Sequence, residues 1–158
     1  SDMLFGNVIG AFGGFGGYSI GVKTGGQGDV TDTHRLWRET KTGQRIGSGV
    51  FHDGHFIIPN EPGTVQRIEP MTGKTVWQER LQTPSGRAAT WSSIVRSGEL
   101  LYLLTRNSDC VIFRAGPKYE QVAVNSLGDG MCNASIAVSN RELFIRTHKS
   151  LWCIAEKK

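Results

Sequence analysis

From residue 48 onward the chain alternates short apolar runs with turn residues, and the alternation repeats. Three heads superimpose without gaps: Ser48-Gly-Val-Phe-His-Asp-Gly54, Ser92-Ser-Ile-Val-Arg-Ser-Gly98 and Ala134-Ser-Ile-Ala-Val-Ser-Asn140. Each runs into a second apolar stretch, at 55–59, 99–104 and 141–146. Asp53-Gly54, Ser97-Gly98 and Ser139-Asn140 are the dipeptides a tight hairpin needs, because Gly and Asn accept positive φ. With Gly54, Gly98 and Asn140 as anchors, the spacings are 44 and 42 residues. A third strand follows in each unit, at 64–68, 110–113 and 150–154, and the second repeat adds a fourth at 75–79 after the turn Met71-Thr-Gly-Lys74. Four short strands in that length make one propeller blade.

A degenerate repeat precedes these. Tyr18-Ser-Ile-Gly-Val-Lys-Thr-Gly25 places Ile20 five residues before Gly25, as Ile68 stands five before Gly73. Gly73 to Trp77 is four residues, whereas Gly25 to Trp37 is twelve, which assigns eight extra residues to the loop within 26–34. The chain therefore reads as one segment over 1–158, with repeats at approximately 3–40, 41–81, 82–125 and 126–158.

Ile68-Glu-Pro-Met-Thr-Gly-Lys-Thr-Val-Trp77 resembles the repeat of the bacterial pyrroloquinoline-quinone-like (quinoprotein alcohol dehydrogenase-like) β-propellers. There a strand ends in a short linker, then Thr-Gly-Lys, two residues and Trp. The resemblance implies an all-β, WD40-like propeller of about four blades with four antiparallel strands each, half or a fragment of a larger ring. It also implies that Trp77, and Trp37 after its insertion, dock flat against the adjacent repeat. The third repeat departs, with Pro117-Lys118-Tyr119 in place of Thr-Gly-Lys and no Trp after it. The superfamily holds quinone-dependent dehydrogenases and outer-membrane assembly scaffolds, and some of its repeats are fused to kinase domains. The strand Leu151-Trp-Cys-Ile154 is similar to one that ends certain bacterial propeller proteins, whose usual setting is outside the cytoplasm. That leans this chain toward the periplasm or secretion.

Composition agrees with many tight turns. Of 158 residues 21 are Gly, close to twice the usual share of about 7%. No run approaches the ~18 apolar residues of a membrane span. Residues 1–30 lack a signal peptide's basic start and apolar core, and the abrupt entry of Met3-Leu4-Phe5 into a Gly-rich strand pattern reads as a fragment boundary. The net charge of +4 is modest. The densest basic stretch, Arg35, Arg38, Lys41 and Arg45 interleaved with Glu39, reads as a solvated face and not as a nucleic-acid site. Cys110, Cys132 and Cys153 are odd in number and lack CxxC spacing, and Cys110 and Cys153 are expected as buried thiols within strands.

Candidate chemistry is sparse. Quinone enzymes of the resembled family hold calcium with clustered acids and amides, supply an Asp base and often carry adjacent cysteines. Here the acids are dispersed and no cysteines adjoin, so no catalytic, cofactor or metal residue is assigned. Residues 10–17 are Gly-rich without a G-x-G-x-x-G match, and Gly73-Lys74-Thr75 has Ile68 where a P-loop needs Gly. His52 and His55 flank a hairpin turn and could share a metal, but zinc wants three or four ligands, which favours a hairpin with two polar ends. Asp29, Thr31, Asp32 and Thr33 could offer oxygens to calcium, but without the EF-hand pattern a hydrogen-bonded turn is favoured. Asn133-Ala-Ser135 is formally a glycosylation sequon at a strand start, and His34 and His148 adjoin no nucleophile. The favoured reading is a non-enzymatic scaffold or binding module for a protein or glycan partner. The alternative is a fragment of a quinone-dependent dehydrogenase whose catalytic residues lie outside this chain. Because each blade needs neighbours on both sides, a homodimer or a larger parent chain is expected.

Overall fold

A computed structural model describes residues 3–8, 17–42, 46–86 and 88–156. They form four antiparallel sheets in chain order, the layout of propeller blades. Blade 1 holds β1 (Met3–Val8), β2 (Gly17–Lys23) and β3 (Arg35–Thr42); blade 2 holds β4 (Val50–His52), β5 (His55–Asn60), β6 (Thr64–Ile68) and β7 (Thr75–Arg80). Blade 3 holds β8 (Val95–Ser97), β9 (Leu100–Leu104), β10 (Asp109–Ala115) and β11 (Tyr119–Ser126), and blade 4 holds β12 (Ala137–Ser139), β13 (Glu142–Arg146) and β14 (Leu151–Ile154). A single-turn helix, α1 (Thr31–His34), interrupts blade 1. The chain is thus nearly all β, and a fragment of a larger propeller fits it. Most of the Gly-rich stretch at 10–17, and Arg45 of the basic run, lie outside the described residues.

The hairpins fall where the pattern places them, but two turns are shifted. His52 pairs with His55, so Asp53 and Gly54 fill the turn with φ of 47° and 70°, a type I′ pattern. In blade 3 Ser97 pairs with Leu100, so the turn is Gly98-Glu99, not Ser97-Gly98. Only Gly98 has positive φ there (60°), the mark of a II′ turn, which wants Gly first. In blade 4 Ser139 pairs with Glu142, and Asn140 and Arg141 turn with φ of 50° and 65°. Gly or Asn can stand first or second in such turns, which is why a shared Gly/Asn anchor slipped by one residue. With the turns corrected, Ser48 aligns with Ser93 and Ser135.

The insertion also moves. Trp37 pairs with Gly21 and Trp77 with Arg67, each beside a bulge, so Val22 and not Ile20 is the counterpart of Ile68. The loop from Val22 to Arg35 is therefore six residues longer than that from Ile68 to Thr75. Gly25, with φ of 85°, turns like Gly73, but it belongs to the insertion together with Gly26 and Gly28.

The blades stack face to face because alternate residues of each strand point to opposite neighbours. Ile57 and Val65 of blade 2 meet Leu101, Leu103, Val111 and Phe113 of blade 3, all at 0% exposure. Leu104 and Cys110 of blade 3 meet Cys132, Ile136 and Ile145 of blade 4. Full burial of each large side chain is worth about 1.5–3 kcal/mol. Tryptophans tie the outer strands across the same seams. Trp37 Nε1 donates to Pro70 O at 2.8 Å, and a Cβ on Gly73 would fall 2.5 Å from the Trp37 ring. Trp77 Nε1 donates to Gly116 O at 3.1 Å, and its ring stands edge-on to Tyr119 at 5.8 Å. Tyr119 thus meets the docked Trp where blade 3 lacks Thr-Gly-Lys, and burial raises its phenol pKa.

Cys153 departs from expectation. Cys110 is buried, but Cys153 is exposed, as is Leu151 at 73%. Both lie on the side of blade 4 that corresponds to the Val65 and Arg67 side of blade 2, and no described residue covers it.

Candidate binding rim

A ladder of serines holds the inner strands together. Ser48 N–H donates to Ser93 Oγ at 3.0 Å, and Ser93 N–H donates to Ser135 Oγ at 2.9 Å. Ile94 N–H returns to Ser48 O at 2.9 Å. The seam is tight enough that a Cβ on Gly47 would lie 1.8 Å from Ser92 O. Two residues before each ladder serine stand Ile46, Trp91 and Asn133, which therefore occupy one position on three successive blades. Ile46 is 42% exposed and Trp91 36%.

In blades 3 and 4 the turn between the second and third strands closes over this position. Arg106 N–H donates to Ala89 O and, one repeat on, His148 N–H donates to Met131 O. Each turn residue then covers the residue two positions further along. The Arg106 guanidinium lies 4.4 Å above the Trp91 ring, and His148 Nε2 lies 3.4 Å from Asn133 Nδ2. The same repeat explains Cys132, whose thiol donates to Arg146 O at 3.0 Å as the Thr90 hydroxyl donates to Leu104 O at 2.7 Å. Its role is that of a small buried donor.

The rim has donors without an acceptor among the described residues. Trp37, Trp77 and Trp152 each donate their indole N–H within the protein, Trp152 to Asp129 Oδ2 at 2.9 Å. Trp91 Nε1 has no such acceptor among the described residues, and neither does the Arg106 guanidinium, whose Nε is buried. Trp91 and Arg106 escaped the sequence reading because Ile, Trp and Asn share no chemistry as a repeat position. The Ser48, Ser93 and Ser135 recurrence was the available signal.

A concavity of about 290 Å³ lies on blade 1 under α1 and is lined by Tyr18, Ile20, Val22, Val30, Thr31, Arg35 and Arg38. Arg38 stacks on Tyr18 at 4.3 Å.

Several other ionisable groups serve turns and seams. Buried Arg67 donates to Ala115 O of the next blade at 2.7 Å and to Asp53 Oδ2 at 3.0 Å, and His55 Nδ1 lies 2.8 Å from its Nη2. That guanidinium lowers the pKa of Asp53. His52 and His55 are register partners, but His52 Nε2 reaches Glu99 of blade 3 at 3.7 Å while His55 meets Arg67. Asp29 accepts the Thr31 N–H at 2.9 Å, a hydrogen-bonded turn. Asp129 accepts from Thr147 and Trp152, which hold its pKa down. Glu61 accepts the Thr90 N–H of the next blade at 2.6 Å; burial raises its pKa, while that bond and nearby Arg106 lower it. Burial pushes the Cys110 thiol up to about 11, away from nucleophilic use.

Sheet order, blade stacking and tryptophan docking together define a pyrroloquinoline-quinone-like β-propeller fold. Solved structures of that kind superpose on the chain. BamB from Moraxella catarrhalis does so with a TM-score of 0.62 at 13% identity, covering 83% of this chain and 41% of that one. Quinohemoprotein alcohol dehydrogenase from Comamonas testosteroni gives 0.52 at 14% identity, covering 66% of this chain and 17% of that one. A europium-containing methanol dehydrogenase gives 0.50 at 8% identity, covering 68% and 21%. The chain thus spans less than half of each, and at these identities the likeness is one of fold. No family model and no curated protein matches the sequence.

The described residues do not fit a quinone and its metal ion. No group of three or more His, Cys, Asp or Glu gathers among them. Asp109 accepts from Ser85 and Ser126, Asp129 from Thr147, and Glu69 from the Met71–Thr72 turn, each at a separate place.

Proposed function

We propose that this chain is a non-enzymatic propeller segment, a scaffold or binding module for a partner that is a protein in preference to a glycan. The rim supports this reading: Ile46, Trp91 and Met131 are exposed apolar side chains on successive blades, and Arg106 stacks on Trp91. Trp and Arg are the side chains that most often dominate protein interfaces. No helix among the described residues is long and apolar enough to cross a membrane. A setting outside the cytoplasm is part of the proposal, supported by the sequence resemblance.

A second reading has its own support. Two of the structural neighbours are dehydrogenases, and a piece of such an enzyme would have this fold without its catalytic residues. Titration of the product of the complete reading frame with pyrroloquinoline quinone and calcium, followed by absorbance, tests the choice. A binding module is expected to leave the quinone spectrum unchanged. Saturable one-to-one binding overturns the non-enzymatic reading.

A further inference from the structure

Trp91 and Arg106 stand side by side on a partly apolar surface, as two donors with no acceptor among the described residues. The Trp91 indole N–H has no acceptor among the described residues, although the other three indoles each have one. The Arg106 guanidinium stacks 4.4 Å over the same ring, and no described carboxylate lies within ion-pair distance of it. Its Nε is buried without a partner. Glu61 is near enough to feel its charge, but that carboxylate is committed to the Thr90 N–H at 2.6 Å. A buried polar donor costs stability when it stays unpaired, so the Arg106 guanidinium, with the indole N–H beside it, marks where an incoming acceptor gains most.

We infer that Trp91 and Arg106 form the acceptor-binding centre of the rim and that their ligand is an acidic peptide segment of a partner protein. A side-chain carboxylate would take the guanidinium fork and the indole N–H, which are both donors and together carry one positive charge. An apolar residue next to it would cover Met131 or Ile46, each more than 40% exposed. This rests on the binding-module reading and adds the partner's chemistry to it.

The experiment uses fluorescein-labelled octapeptides that alternate Asp or Glu with Leu or Phe, with Asn/Gln and Lys versions as controls, read by anisotropy at two salt concentrations. The acidic panel is expected to bind best and to weaken with salt. Arg106→Gln is expected to weaken that binding by about tenfold or more, as for loss of a charge-assisted bond. Arg106→Lys keeps the charge without the fork and is expected to restore only part of it. Arg38→Gln, at the blade 1 cavity, is expected to change nothing. The inference is overturned if acidic and amide peptides behave alike, including a failure of both to bind, or if Arg38→Gln and not Arg106→Gln removes the binding. The quinone titration decides the broader reading separately, so failure here leaves that result standing.

Discussion

Trp37 and Trp77 occupy matching places on outer strands, and each lends its indole N–H to a carbonyl of the next blade. Trp77→Ala removes an aromatic wedge and a cross-blade hydrogen bond, so a loss of about 3–5 kcal/mol is expected. Trp77→Phe keeps most of the wedge and is expected to lose only about 1 kcal/mol. Denaturant unfolding measures both, and a loss under about 1 kcal/mol for the alanine variant would count against docking. Gly73 and Gly54 sharpen the point. Both have positive φ, but only at Gly73 would a Cβ strike an indole, so Gly73→Ala is expected to cost more than Gly54→Ala. These packing residues were legible in the sequence because one motif, Thr-Gly-Lys-x-x-Trp, carries the docking Trp and the Gly that receives its neighbour. Trp91 was not legible, since an exposed side chain in a repeat is under no packing constraint to recur.

At the scale of strands, apolar alternation located the hairpins of blades 2 to 4, because a half-buried strand must alternate. It did not fix the turns. A two-residue turn accepts Gly in either central place, and only backbone pairing shows which place Gly98 takes. That one-residue slip also hid the serine ladder, whose bonds exist only between blades. The insertion was overcounted for a related reason, because a Gly-rich loop supplies several residues that resemble the turn glycine. The ladder gives its own expectation. Ser93→Ala removes the acceptor for Ser48 N–H and leaves Ser93 N–H still bonded to Ser135. A loss of about 1 kcal/mol is expected for Ser93→Ala and again for Ser135→Ala. Urea titrations of the single and double variants check this, and a clear excess over additivity would show that the ladder acts as one unit.

At the scale of the molecule, the two outer blade faces differ from the inner ones. Ile57, Val65 and Arg67 are buried against blade 3, whereas their counterparts Phe144, Leu151 and Cys153 face no described blade. At the other end Tyr18, Ile20 and Val22 line an open cavity. Soluble monomers seldom leave such apolar faces bare, and an arc of blades buries them by meeting more blades. We propose that blade 4 continues into further blades, supplied by a second copy or by the rest of a longer chain, and that scaffolding is the use of the resulting surface. Partner identity was beyond the sequence, because surface recognition leaves no repeat period. Light scattering of the 158-residue chain at micromolar concentration tests the open arc most directly. An open arc is expected to give a concentration-dependent mass above 17.3 kDa that falls when Leu151→Glu charges the bare face. A stable 17.3 kDa monomer with cooperative unfolding, unchanged by that substitution, would contradict it.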